Sequence, residues 1–290
     1  MRAPQVVAAA GSAQLLDYGG SGRPVLFVPS LVNPPYVLDL DEDGSLLRRL
    51  AANGLHPLLV DWRAPGPPEL AFSVGDYVAH RLRPLIDAIG EDVDLAGYCL
   101  GGTMALAVID HPRVRRVVTI AAPWDFGGYS AARRQDLADY WIQSSPLAAS
   151  LGSVPMDLIQ PAFWSLDPAA AVRKFEKFAD LDPASDAART FIALEDWAND
   201  GPPVTLPAAR ECFEDFFGGN VTGRGTWCAD PAASGKPILN IVSQTDRIVP
   251  AASAPGFGEQ WLIAAGHVGM IVGSRAREQL WQPLAGWLRG

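Results

Sequence analysis

An apolar run that ends on Gly-Tyr-Cys-Leu-Gly-Gly constrains this chain more than any other stretch. In VDLAGYCLGGTMALAVIDHP (residues 93–112) a strand-like segment meets a helix-like one, with Cys99 at the junction. So tight a strand-to-helix turn strains the backbone of its central residue, and the positions two before and two after, Gly97 and Gly101, must lack bulky side chains. The helix then aims its first amides at Cys99, which favours a thiolate and offers donors to an oxyanion. A buried cysteine is often only a small apolar filler. Here strand, glycines and helix fall in register, and G-x-C-x-G-G reads as a nucleophile elbow with cysteine in place of serine.

The rest of the chain supplies a frame for such an elbow. VLFVP (25–29), PLLVDW (57–62), VDLAG (93–97), RRVVTIA (115–121), PILNIVS (237–243) and EQWLIAA (259–265) read as six strands. Amphipathic segments alternate with them, which is the pattern of helices packed around a mostly parallel sheet. SLLRRLAANG carries Ser45 as a helix N-cap and Gly54 as a stop, SVGDYVAHRLRPLIDAIG stops at Gly90, and residues 274–288 form a last amphipathic segment. Residues 125–235 break the alternation. Rich in Trp, Phe, Pro and Ala, they read as several short helices inserted between two strands. The domain expectation is a core of residues 1–124 and 236–290 with a helical cap at 125–235; long insertions of this kind tend to be lids.

A nucleophile of this type needs a histidine base and an acid to orient it, in the chain order nucleophile, acid, histidine. Asp246 in SQTDRIVP follows one predicted strand and His267 in AAGHVGMIVG follows the next, both at carboxyl ends. Asp125 in AAPWDF is a second acid candidate, ranked below Asp246. His56 precedes a strand, His80 sits within a helix and His111 closes the elbow helix, so none is equally placed. The oxyanion donors are expected to be the amide after the nucleophile, Leu100, and that of Val32 in the loop VPSLVNPPY. Asn33, Tyr98 and Trp124 are the substrate-binding candidates.

Composition excludes several other functions. Net charge is −9, from 23 Lys and Arg against 32 Asp and Glu, with no basic run to attract nucleic acid or an anionic membrane. Three cysteines without CxxC spacing and four scattered histidines form neither a zinc cluster nor a disulfide framework. No metal and no cofactor is expected. The patch VVAAA near the N-terminus is shorter than a signal-peptide core, and no apolar run reaches membrane-spanning length. The expected location is the cytoplasm.

The spelling GYCLGG resembles both dienelactone hydrolases and polyhydroxyalkanoate synthases. The flanking text resembles the synthases: VPSLVNPPYVLDLDEDGSLLRRLAANGLHPLLVDWRAP (28–65), VVTIAAPWDF (117–126), GHVGMIVG (266–273) and, more weakly, FIALEDWANDGPPVTLPAARECFEDFF in the insertion. The likeness covers most of residues 25–275 and is nearest the short, two-subunit synthase type. It implies an α/β-hydrolase fold and a triad on Cys99, Asp246 and His267, with oxyanion amides on Val32 and Leu100. It also implies an acyl-CoA substrate, a second synthase subunit or a homodimer as partner, and association with polyester granules. Two positions depart from the family pattern: Arg247 stands where the family has histidine, and Ala251 where it has tryptophan.

Three functions fit these residues. One is an acyltransferase acting on (R)-3-hydroxyacyl-CoA thioesters. Another is a cysteine-triad hydrolase, either an acyl-CoA thioesterase or an intracellular polyhydroxyalkanoate depolymerase. The third is a non-catalytic granule-binding or partner-binding relative. Trp124, Phe126, Trp141, Phe163, Trp164 and Trp197 are equally fit to line an acyl channel or to serve as core.

Overall fold

Runs such as VLFV and ILNIVS have too little polar surface for a half-exposed strand and must be covered on both faces. The computed structural model, which describes residues 3–165, 168–228 and 230–290, places both inside a sheet, each flanked by two strands. Arg2 and three positions of the expected insertion (166, 167 and 229) lie outside the described residues. The strands are β1 (Gln5–Ala10), β2 (Ala13–Asp17), β3 (Pro24–Val28), β4 (His56–Asp61), β5 (Val93–Tyr98), β6 (Val114–Ile120), β7 (Ser153–Val154), β8 (Val204–Thr205), β9 (Ile238–Ser243) and β10 (Glu259–Ile263). Eight of them form one sheet in the order β1-β2-β4-β3-β5-β6-β9-β10, while β7 and β8 pair separately. The β1–β2 and β2–β4 pairings are antiparallel and the rest of the large sheet is parallel.

Strand alternation divides the core in two. Leu26 and Val28 of β3 face a cluster with Leu82, Leu85 and Met104, and Val25 and Phe27 face another with Leu46, Leu50, Leu280 and Leu284. The helices therefore cover both faces. Ser45 caps helix Leu46–Ala52 by accepting from the Arg48 amide at 3.0 Å, and Ser73 caps helical residues 74–89 by accepting from Asp76 at 3.1 Å. Those residues end at Gly90, as the sequence predicts.

Two strands of the large sheet, and the separate β7–β8 pair, lie outside the six predicted. β1 is an exposed edge strand of QVVAAA with a bulge between Val6 and Ala8, and β2 joins it to the sheet. Alanine is a weak strand former and the segment lacks a clean apolar-polar alternation, so its pairing comes from the neighbouring strand, not from its own propensity.

From β3 the chain moves to β4 on one side and then to β5 on the other, opening a crevice at the carboxyl edge where the strand order reverses. Parallel sheets bind ligands at such a switch point. Val28 lies opposite Gly97, Tyr98 opposite Ile120 and Ser243 opposite Ile263, so the loops after these strands all leave from one edge.

Between β6 and β9 the chain runs through helices Ala131–Leu151, Met156–Trp164, Pro168–Ala179 and Asp186–Asn199, then Leu206–Arg210 and Glu211–Gly218. The first is not short: it has 21 residues, capped by Ser130 and ended at Gly152, with Pro146 inside it.

Candidate active site

Cys99 sits between β5 and helix Leu100–Ala107 with φ 55° and ψ −132°, a conformation that residues with a side chain rarely adopt. Its amide donates to the Ile120 carbonyl at 3.0 Å and its carbonyl accepts from the Gly102 amide at 2.9 Å, which holds the strained turn from both sides. The glycines answer to contact: a Cβ on Gly97 would lie 2.4 Å from the Gly101 carbonyl oxygen, and one on Gly101 would lie 2.0 Å from that of Val28. Elbow, first helical turn and the end of β3 thus touch backbone to backbone.

Asp246 and His267 are brought together at the same edge. His267 Nδ1 lies 2.6 Å from Asp246 Oδ2, and the other carboxylate oxygen accepts the amides of Ile248 at 2.7 Å and Val249 at 3.0 Å. That carboxylate is fully buried and orients the ring. The charge of Cys99 also acts on His267, in the direction that favours the imidazolium. Burial opposes a charge on the imidazole, but the Cys99 charge and the hydrogen bond to Asp246 outweigh it, and the His267 pKa is pushed up to about 10. Asp125, the other acid considered, instead accepts from the Gly127 amide at 2.9 Å and from Asn220 at 2.8 Å. His56, His80 and His111 face Asp17, Asp76 and Asp87.

The remaining predicted residues are more divided. Leu100 contributes the first amide of the elbow helix, where the helix itself supplies no acceptor. The Val32 amide is turned toward the Ser30 hydroxyl, at 3.1 Å. Tyr98 is 3% exposed; its ring stacks on His267 and its hydroxyl donates to the His267 carbonyl. Trp124 is core, edge-on to Phe257, with its amide donating to the Ser253 carbonyl at 2.7 Å. The Asn33 amide donates to carbonyls at the end of helix Asp186–Asn199. Of the aromatic residues weighed as channel lining, Phe126, Trp141 and Trp197 are also buried, whereas Trp164 is 58% exposed.

Tyr129 and Ser30 were not legible from sequence. The buried Tyr129 hydroxyl donates to the Ile248 carbonyl at 3.0 Å, fixing the loop that carries Asp246. Burial holds that phenol well above its usual range, so it remains a neutral donor. A cavity of about 470 Å³ opens behind the Val32 loop, lined in part by Tyr18, Ser30, Asn33, Tyr36, Trp62 and Asp200. Among the described residues no cluster of His, Cys, Asp and Glu could hold a metal ion, and no helix is long and apolar enough to cross a membrane.

Comparison with known proteins agrees with this architecture. Residues 25–281 match the family described as "Alpha/beta hydrolase family". The chain is 28% identical to the poly(3-hydroxyalkanoate) polymerase subunit PhaC of Allochromatium vinosum, over 91% of this chain and 80% of that one. It is 29% identical to PhaC of Synechocystis, over 91% and 77%. With PhaC of Haloferax mediterranei it shares 26%, over 91% of this chain and 58% of that longer one. Among solved structures, an esterase from Thermogutta terrifontis superposes with a TM-score of 0.58 at 16% identity, covering 99% of this chain and 97% of that one. A bromoperoxidase from Bacillus anthracis gives 0.60 at 16% identity, covering 98% and 99%. At such identity these two structures speak for the fold alone.

Proposed function

This chain belongs to the alpha/beta hydrolase family, as a member of its polyhydroxyalkanoate synthase branch, and from that premise we propose that it transfers acyl groups from (R)-3-hydroxyacyl-CoA through Cys99. The observation that carries this reading is the Asp246–His267 pair, with 2.6 Å between carboxylate and imidazole, whose imidazolium is favoured by the charge of the elbow residue Cys99.

In the proposed reaction His267 holds the proton of Cys99 while the sulfur attacks the thioester carbonyl. The Leu100 amide, joined by that of Val32, stabilises the oxyanion. The carbon–sulfur bond to coenzyme A breaks, and His267 returns its proton to the departing thiolate. The acyl group now rests in a second thioester and keeps its activation. A 3-hydroxyl acceptor gives its proton to His267 and attacks; the acyl–Cys99 bond breaks, and an ester forms. Proton transfer of this kind contributes roughly 10²–10⁴ in rate, and one oxyanion donor about 10²–10³.

The helical insertion between β6 and β9 is read as the cap over this site, because Trp141 and Phe216 share an apolar cluster with Leu100 and Met104 of the elbow helix. Its outer surface carries Ile142, Leu147, Leu151, Trp164, Val172 and Phe175, all more than half exposed, which supports a second synthase subunit, a second copy of this chain or a granule surface as partner. The proposed setting is the cytoplasm at polyester granules.

The test is incubation with (R)-3-hydroxybutyryl-CoA, following free CoA and products by chromatography, beside Cys99→Ala. CoA release with oligomeric ester supports the acyltransferase. Release with only free hydroxy acid moves the assignment to a cysteine hydrolase, and no release by the intact chain overturns both.

A further inference from the structure

Helix Asp186–Asn199 ends against the loop that follows β3, and the two are fastened from both sides. Asn33 Nδ2 donates to the carbonyls of Trp197, Ala198 and Asp200, at 3.4, 3.2 and 3.4 Å. In return the Trp197 indole N–H donates to the Pro34 carbonyl at 2.8 Å. The last carbonyls of a helix have no partner within it, so a side-chain amide placed there acts as a cap. Gln160 holds the same end by donating to the Ala198 carbonyl and to the Asn199 side chain. Just beyond, Gly201 presses its backbone on Val32. A Cβ there would lie 2.5 Å from the Val32 carbonyl oxygen, and the φ of +155° also favours glycine. Trp197 belongs to the apolar cluster against which Cys99 packs.

This contact therefore fixes the inserted helices to Val32 and the two residues that follow it. The Val32 amide has two uses: it bonds to the Ser30 hydroxyl now, and under the function proposed above it turns to the oxyanion. We propose that Asn33 is a positioning residue, which with Trp197 couples the seating of the helical insertion to the placement of the Val32 amide. It acts through the loop and touches no reacting atom. The inference rests on the acyl-transfer reading and assigns Asn33 a role other than the substrate contact expected from sequence.

The test separates two reactions of the same sulfur. Acylation of Cys99 builds an oxyanion; alkylation by iodoacetamide, a displacement at saturated carbon, does not. Both are followed by intact-mass spectrometry in single turnover, with 3-hydroxybutyryl-CoA and p-nitrophenyl acetate as alternative acyl donors. Asn33→Asp keeps the shape but turns an acceptor toward three carbonyls, and Trp197→Phe removes only the indole N–H and part of the ring. Each is expected to slow acylation by about 10²-fold, the size of one oxyanion donor, while alkylation stays within about twofold. Acylation unchanged in both variants, or acylation and alkylation falling together, overturns the proposal. If the intact chain acylates from the ester but not from the CoA thioester, the substrate reading fails while the coupling is still measured.

Discussion

Tyr98 lies flat against His267, with ring centroids 5.0 Å apart and 29° between planes, and its hydroxyl donates to the carbonyl of that same residue at 3.2 Å. One side chain thus fixes both the ring and the backbone of the proposed base, from the position just before the proposed nucleophile. Burial holds the phenol well above its ordinary pKa, so it stays a donor at any working pH. Tyr98→Phe leaves the stack and orphans a buried carbonyl, at about 1–3 kcal/mol. The expected result is a lower urea midpoint with a loss of kcat of about tenfold or less. Tyr98→Leu, which also removes the stack, is expected to lose more. Equal kcat values for the two variants would mean that the ring plays no part in holding the base.

The proton on His267 is sustained largely by Cys99. Burial disfavours the imidazolium, and Cys99 supplies the charge that most strongly restores it, so Cys99→Ala is expected to lower the His267 pKa from about 10. Imidazole carbon chemical shifts across a pH series measure this directly. A folded-state pKa raised above the unfolded value of about 6.5 gives a contribution to stability that is whole below pH 6.5. It fades as pH rises toward about 10. The gap between the urea midpoints of the intact chain and Cys99→Ala is accordingly expected to narrow over that interval. An unchanged His267 titration in Cys99→Ala would place the source of the shift elsewhere.

The elbow tolerates no side chain at Gly101. A methyl group there meets the Val28 carbonyl oxygen at 2.0 Å and the Pro29 carbonyl oxygen at 2.6 Å, backbone atoms where β3 passes into the loop that carries Val32. Gly101→Ala must displace either the helix or that loop, and the expected effect is about 3 kcal/mol of stability together with most of the acylation activity. Urea unfolding and single-turnover acylation measure the two. Full activity at lowered stability would show that the loop can move without harm to the oxyanion site.

The sequence is most informative where one physical demand dominates. Continuous apolar runs had to be two-sided strands, and the glycines around Cys99 had to be a close-packed elbow; both are so in the structure. The chain order also put Asp246 and His267 after successive strands, and the parallel register then carries them to one edge. Residues whose surroundings are set by distant segments were not legible. Asn33 looked like a substrate contact because nothing local reveals a helix end 164 residues away. Trp124 stood as a substrate-binding candidate because an aromatic residue just past a strand suits core and channel alike. Ser30 carried no signal at all: a serine two residues before an amide becomes significant only when that amide has another use. The β1–β2 hairpin failed for the converse reason, since its alanine-rich strand is held by what it pairs with and by what grips its turn.

That grip is a buried ion pair, and it gives a test of the hairpin. Glu69 is 1% exposed, accepts the Ser12 amide at 2.9 Å in the β1–β2 turn, and receives Arg81 Nε at 2.8 Å from the helix below. Burial alone would raise its pKa; the Ser12 amide and Arg81 reverse that and hold the carboxylate down to about 2. A depressed carboxylate contributes stability that is whole above its unfolded value and is lost as pH falls toward the folded one. The loss is therefore expected between about pH 4.5 and pH 2. Glu69→Gln removes one partner of a buried pair and leaves Arg81 uncompensated, a change expected to cost about 3–5 kcal/mol near neutral pH. It is also expected to flatten the acid limb of the urea midpoint against pH. Amide exchange should then quicken in residues 5–17 while those of β5 stay protected, because the hairpin pairs with the sheet at its edge and the elbow strand lies at its centre. Uniform loss of protection in both would instead make Glu69 a support of the whole core.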